Sequence, residues 1–148
     1  MNDRLVEDRR GDLILTTDRG RIDVGATLEM LHASHWGGGM QREQLERAIE
    51  NSVCFSVLDG AHDDRQLAFA RVVTDLSTYG YLTDVIVAED ARGRGLGSWM
   101  VEAILAHPDL QRFRRIALFT RNARGLYERF GFTTDPPKSV YMELRPHP

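Results

Sequence analysis

The sequence predicts an α/β (α+β) protein, a mixed sheet with helices on its faces, and two features of its pattern lead there. β-rich runs and helical periodicities follow one another in the order β-α-α-β-β-β-α-β-α-β-β, so hairpins are mixed with crossovers. One crossover is a strand, a glycine-rich loop and a helix in direct succession. The chain of 148 residues has no internal repeat, low-complexity tract or Pro/Ser-rich linker, which predicts one domain over residues 1–148.

Leu13 to Thr17 is a short β-like run, and Asp23 caps a helix that carries Val24, Leu28, Leu31 and His32 at helical spacing. That helix should stop near Gly37-Gly38-Gly39. A second, outer helix is expected from Gln41 to Asn51, where Leu45 and Ile49 stand four apart on a charged surface. Val53 to Leu58 and Gln66 to Val73 read as antiparallel partners, joined by a turn at Asp59-Gly60 and Asp63-Asp64. Tyr79 to Val87 is a longer β-rich run before the glycine loop. A helix follows from Ser98 to Ala106, its stripe set by Leu96, Met100 and Ile104 and its end by Pro108. Ile116 to Thr120 is the next strand; Ala123, Leu126, Tyr127 and Phe130 mark a short helix closed by Gly131. Phe132 to Thr134 and Val140 to Leu144 are expected as two last strands.

A net charge of -3 gives no global attraction to nucleic acid or to anionic lipid, so any basic site must be local. The N-terminus lacks an apolar signal core and no stretch of eighteen apolar residues occurs, which predicts a cytoplasmic protein without a membrane partner. Cys54, the single cysteine, leaves no intramolecular disulfide and no multi-cysteine zinc site; it reads as a core thiol, with a nucleophile as the alternative.

The stretch Glu89-Asp-Ala-Arg-Gly-Arg-Gly-Leu-Gly-Ser-Trp99 carries three glycines at alternate positions and two arginines, ahead of an amphipathic helix. Glycines at a helix start expose N–H groups at the positive end of the helix dipole, the geometry that holds phosphate. A Walker loop needs a lysine followed by Ser or Thr, and the only lysine is the distant Lys138. A dinucleotide fingerprint needs a glycine where Ser98 stands and an acidic residue in the strand Arg115 to Thr120. An Arg-x-x-Gly-x-Gly pyrophosphate loop fits, as Arg92-Gly93-Arg94-Gly95-Leu96-Gly97.

With Val85-Ile86-Val87 before that loop, and with Asn122 and Leu126-Tyr127-Glu128-Arg129-Phe130-Gly131-Phe132 after it, the chain resembles the GNAT family of N-acetyltransferases over roughly residues 53 to 134. The resemblance implies a mostly antiparallel sheet of six to seven strands, splayed at the central strand and flanked by about four helices. It implies acetyl-coenzyme A as cosubstrate, no metal, and a homodimer among the assemblies to be expected. Backbone N–H groups of Arg92, Gly93, Arg94, Gly95, Leu96, Gly97 and Ser98 would cradle the pyrophosphate. Val85, Ile86 and Val87 would pair with the pantetheine amides, and a bulge would free an N–H near Val87 for the acetyl carbonyl.

Tyr127 would be the general acid for the leaving thiolate, a core aromatic being the plain alternative. Asn122 would hold the cofactor arm, although it lies five residues before Tyr127 where relatives commonly have seven. Tyr81-Leu82-Thr83-Asp84 resembles the Tyr-Leu-Glu-Asp strand of polyamine acetyltransferases, with Thr83 where their glutamate stands; Asp84 is then the nearest carboxylate for a base or an amine-binding anion. His32, His35, Trp36 and Thr83 would wall the acceptor pocket. The expected acceptor is a small-molecule amine in preference to a protein. The rival reading is a module of the same fold that binds coenzyme A without turnover.

Overall fold

In the computed structural model, which describes residues 1–34, 38–134 and 140–146, six strands form one sheet in chain order, β1 to β6. They are β1 (Glu7–Arg10), β2 (Leu13–Thr16), β3 (Ser52–Asp59), β4 (Arg65–Thr74), β5 (Tyr79–Val87) and β6 (Arg115–Leu118). Neighbours are antiparallel except β5 and β6, which run parallel because the helix of the glycine crossover lies between them. Four helices flank the sheet: α1 (Val24–His32), α2 (Arg42–Glu50), α3 (Leu96–Ala106) and α4 (Arg124–Glu128). The expected α/β class, strand count and helix count are therefore observed, and Asp23 caps α1 by accepting from the Ala26 N–H at 2.9 Å.

Two expectations at the chain ends are corrected. Phe132 to Thr134 and Val140 to Leu144 are not strands; their described backbone is irregular, and Val140, Met142 and Leu144 are exposed. The sixth strand comes from the other edge instead. β1 is Glu-Asp-Arg-Arg, exposed throughout, so it has no apolar alternation to betray it; it forms because Gly11 (φ 60°) turns the chain back onto β2.

Strand alternation sends side chains to two faces. Val53, Phe55 and Val57 of β3 pack with Leu82, α3 and Tyr127 of α4, whereas Cys54, Phe69 and Ile86 pack under Leu31 of α1 and Leu45 and Ile49 of α2. Burial pushes the Cys54 thiol up to about 12, which leaves it an inert core group as the sequence suggests.

In β5 the alternation changes phase. The cross-strand partners run Phe69↔Ile86 and then Arg71↔Thr83, so β5 holds one more residue there than β4. That extra residue is a bulge at Asp84, whose φ is 54°. Before the bulge Leu82 faces α3; after it Val85 and Val87 face that side and Ile86 faces α1 and α2. The carboxylate of Asp84 is buried and accepts from Arg71 Nε at 2.8 Å, and Arg71 Nη1 donates to Ser52 Oγ at 3.1 Å. The bulge is thus latched to β4 and β3 by one guanidinium.

Removing that guanidinium strands a carboxylate that is only 5% exposed. Arg71→Ala is expected to cost about 3–5 kcal/mol in urea unfolding and Arg71→Lys clearly less; equal losses would show that Asp84 does not need the charge. Gly60 offers a purely steric check. A Cβ there would lie 2.9 Å from the Asp12 carbonyl oxygen, itself the acceptor of the Gly60 N–H, so Gly60→Ala should lower stability by about 1–3 kcal/mol in the same measurement.

Candidate active site

β5 and β6 stay in register only from Tyr79↔Arg115 to Leu82↔Leu118. Beyond Leu82, β5 runs on to Val87 with no partner on its β6 side, while the chain after Leu118 turns away toward α4. The two parallel strands therefore open like a V, in line with the splay expected at this strand. A cavity of about 510 Å³ fills the opening, lined on one side by residues 81–85 and on the other by residues 118–123 and Tyr127. The free edge of β5 offers this cavity a row of backbone donors and acceptors, the arrangement that takes up an extended amide-bearing chain.

The glycine loop leads away from the C-terminal end of the same edge. A short 3-10 turn, Glu89–Ala91, follows β5, and Gly93 and Gly95 then take φ of 77° and 76°, which suit glycine alone. α3 begins at Leu96, two residues earlier than its sequence pattern suggests. Gly95 caps it with no side-chain hydrogen bond, and its first internal bond runs from Trp99 N–H to the Gly95 carbonyl at 3.0 Å. The N–H groups of Leu96, Gly97 and Ser98 thus precede the helical ladder and point out of its positive end. Arg92 is the exception in the expected cradle, since its N–H turns back to the Glu89 carbonyl. The guanidinium groups of Arg92 and Arg94 are exposed and enter no ion pair among the described residues. These donors and charges fit a diphosphate, and a Cβ placed on Gly93 or Gly95 would meet nothing within 4 Å, so the outer side of the loop is open.

Behind the loop, Arg65 grips the Asp90 carboxylate with two bonds of 2.8 Å. That pairing, helped by the Arg94 charge, holds the Asp90 carboxyl below the usual range. The loop is thereby tied to the start of β4.

α4 brings Tyr127 to the cavity from the α3 side of the sheet. Gly97 makes the approach of the two helices close: a Cβ on it would touch Leu126 Cδ2 at 3.6 Å, and Arg129 of the segment after α4 donates to Ser98 Oγ at 3.4 Å. Tyr127 is 7% exposed, with its ring set edge-on to Phe132 at 5.8 Å. Among the described residues no hydrogen bond engages its hydroxyl, and the side chain lines the cavity. Burial raises its pKa, so the phenol keeps its proton through the neutral range.

The structure brings most of the sequence-derived candidates to this place. Thr83, Asp84, Val85, Asn122 and Tyr127 line the cavity, and Val87 and the loop continue from it. Ile86 is a core residue by its side chain and offers only its backbone. The bulge settles the facing of Asp84, which shares the Arg71 side with Thr83 rather than standing opposite it. His32 is not among the lining residues; it is exposed, and its Nε2 sits 2.8 Å from the Met40 carbonyl. His35 and Trp36 lie outside the described residues.

Sequence reasoning passed over Tyr81, Phe119 and Arg121, all of which line the cavity. Their membership follows from the parallel pairing of β5 with β6, and no local pattern announces it. Arg71 was passed over too, and a charged residue inside an otherwise apolar strand, Leu67-Ala-Phe-Ala-Arg71-Val-Val, was the available signal.

Among the described residues no helix is long and apolar enough to cross a membrane, and no group of three or more His, Cys, Asp or Glu side chains is placed to hold a metal ion.

Comparison with known proteins adds relationship to geometry. A protein of Gibberella zeae assigned to the acetyltransferases is 30% identical over 139 residues, covering 80% of this chain and 77% of its own. Serotonin N-acetyltransferase 2, chloroplastic, from Oryza sativa subsp. japonica is 32% identical over 130 residues, or 86% of this chain and 64% of that enzyme's length. A GNAT-family protein of known crystal structure from Xanthomonas campestris pv. campestris superposes with a TM-score of 0.81 at 39% identity, over 90% of this chain and 94% of the other. Residues 50–134, which hold the splayed edge, the glycine loop and Tyr127, match the acetyltransferase (GNAT) domain, and the chain is a member of that family of acetyl-transferring enzymes.

Proposed function

We propose that this protein transfers an acetyl group from acetyl-coenzyme A to the primary amine of a small molecule by direct attack, with Tyr127 as general acid. One observation carries the reading: a buried, protonated phenol without a hydrogen-bond partner among the described residues lines the cavity that borders the free edge of β5, the strand that leads into the glycine loop and α3. The rice relative, named for an acyl acceptor that is a small amine, supports the acceptor class.

Acetyl-coenzyme A supplies an activated thioester when bound. The N–H groups from Gly93 to Ser98 hold its diphosphate, with Arg92 and Arg94 adding charge. The edge from Val85 to Val87 binds the pantetheine amides, and Asn122, on the opposite wall of the cavity, steadies the same arm. The bulge at Asp84 would free a backbone N–H near Val87 to polarise the acetyl carbonyl. Tyr127 holds a proton on Oη and would give it to the departing sulfur as negative charge develops there; a thiol titrates near ~8.5 and a phenol near ~10, so the step is uphill by about 2 kcal/mol on those values and is completed when water returns a proton to the phenolate. Asp84 accepts from Arg71 through Oδ2, so its role is to offer the other carboxylate oxygen as a hydrogen-bond acceptor to the amine, and the amine passes its proton to water.

Tyr127→Phe should lower kcat by ~10²-fold or more with the Kd for coenzyme A unchanged, as followed by free-thiol release and calorimetry. Unaltered kcat would remove Tyr127 from the chemistry, and cofactor binding without thiol release for any amine would mark a non-catalytic binding module. The pH dependence has a definite sign. Burial disfavours the phenolate, so the proton is retained as pH rises and lost only through the raised pKa. The alkaline fall of kcat due to Tyr127 should therefore lie above the ordinary phenol value of ~10 and vanish in Tyr127→Phe. Gly95→Ala, at a φ of 76°, should strain the loop by about 1–2 kcal/mol and weaken coenzyme A binding by about tenfold. Unchanged affinity would place the diphosphate elsewhere.

A further inference from the structure

The cavity has an aromatic wall that the transfer reaction itself does not explain. Tyr81 lies next to Leu82, which faces α3, so its ring is on the opposite face of the sheet, and the register Tyr81↔Ala117 puts Phe119 on that same face. The two rings meet edge-on at 6.1 Å, and Phe119 meets Tyr141 edge-on at 5.1 Å. Phe119 is 65% exposed and Tyr141 66%, so this ladder adds little to core burial. Tyr81 and Phe119 line the same cavity as Tyr127 and Asp84, which joins the ladder to the candidate reaction centre.

The two faces of the V divide the work. Tyr127 and the loop helix α3 stand on one face; the ladder and the Arg71–Asp84 side of the bulge stand on the other. A molecule that approaches from the ladder face meets ring faces and edges first and the Asp84 carboxylate deeper in. Ring faces attract cations and flat apolar bodies alike, and the Asp84 carboxylate, already paired with Arg71, adds a hydrogen-bond acceptor for an amine. A phosphorylated amino sugar finds one cationic group in this lining, Arg121, and otherwise rings, the Asp84 carboxylate and uncharged side chains.

Resting on the acetyl-transfer reading above, the geometry points to the Tyr81–Phe119–Tyr141 ladder as the acceptor platform, and to the acceptor as a primary amine carried on an aromatic body. Phe119 is a specificity-determining residue at the mouth of the cavity, and Tyr141, whose hydroxyl donates to Glu143 at 3.2 Å, closes the outer end of the platform.

The test uses the full chain with acetyl-coenzyme A and three probes: 2-phenylethylamine, spermidine and glucosamine 6-phosphate. The expected result is the highest kcat/KM for 2-phenylethylamine. Phe119→Ala should raise its KM by about tenfold, and Phe119→Trp should restore it. The exposure of Phe119 makes both variants safe for folding, which thermal melting would verify. A higher kcat/KM for spermidine or for the phosphorylated sugar, or a KM for 2-phenylethylamine indifferent to Phe119→Ala, overturns the platform while leaving acetyl transfer in place. If no amine releases thiol, calorimetry of 2-phenylethylamine against the protein saturated with coenzyme A decides separately. Binding that is lost in Phe119→Ala keeps the platform and sinks the transfer reading; no binding sinks both.

Discussion

The site depends on a single irregularity, the bulge at Asp84 held by the Arg71 guanidinium. A regular β5 would keep Leu82, Asp84 and Ile86 on one face and would put a carboxylate into the apolar layer beneath α3. One added residue at a φ of 54° moves Ile86 to the layer under α1 and α2 and Val85 and Val87 to the layer under α3. It also leaves the carboxylate beside Arg71, where burial is compensated by a charged hydrogen bond. An aspartate tolerates that backbone region better than most residues, and the ion pair fixes it there.

From that irregularity the opening of the sheet follows. A strand that bends and twists at a bulge diverges from a parallel neighbour that does not. β6 is only four residues long and pairs with β5 up to Leu82, just short of the bulge at Asp84. The unpaired edge beyond is the kind of surface that folded proteins usually cover. Here it borders a cavity, and the helix that completes the crossover delivers its uncapped N-terminus to the end of the same edge. One stretch of chain, from Val85 to Ser98, thus carries both the strand edge proposed for an extended arm and the helix start proposed for a diphosphate.

Charge is distributed to match. The overall charge is -3, and many of the charged residues form surface ion pairs, most of them exposed and worth little individually. Arg92 and Arg94 stand outside those pairs, while Arg65 and Asp90 form a bidentate clamp at the base of the loop. A local anion site on an acidic protein needs this separation between arginines that hold structure and arginines that stay free for a ligand.

The local sequence determined much of this protein. The helical stripes, the Asp23 cap, the β3–β4 hairpin and the glycine loop were legible because periodicity, capping and positive-φ glycine are properties of neighbouring residues. The loop and the Tyr127 signature together were enough to place the chain in its family. The tertiary structure alone decided the rest. β1 is charged and exposed and exists only by pairing, and the strands expected after Gly131 found no place in the sheet. The facing of Asp84 turned on a register shift against β4, and the joining of Tyr81 to Phe119 on the parallel alignment of strands whose paired residues, such as Tyr79 and Arg115, are distant in the chain. Such contacts depend on which strand lies beside which and in what register, and no short window of sequence contains that information.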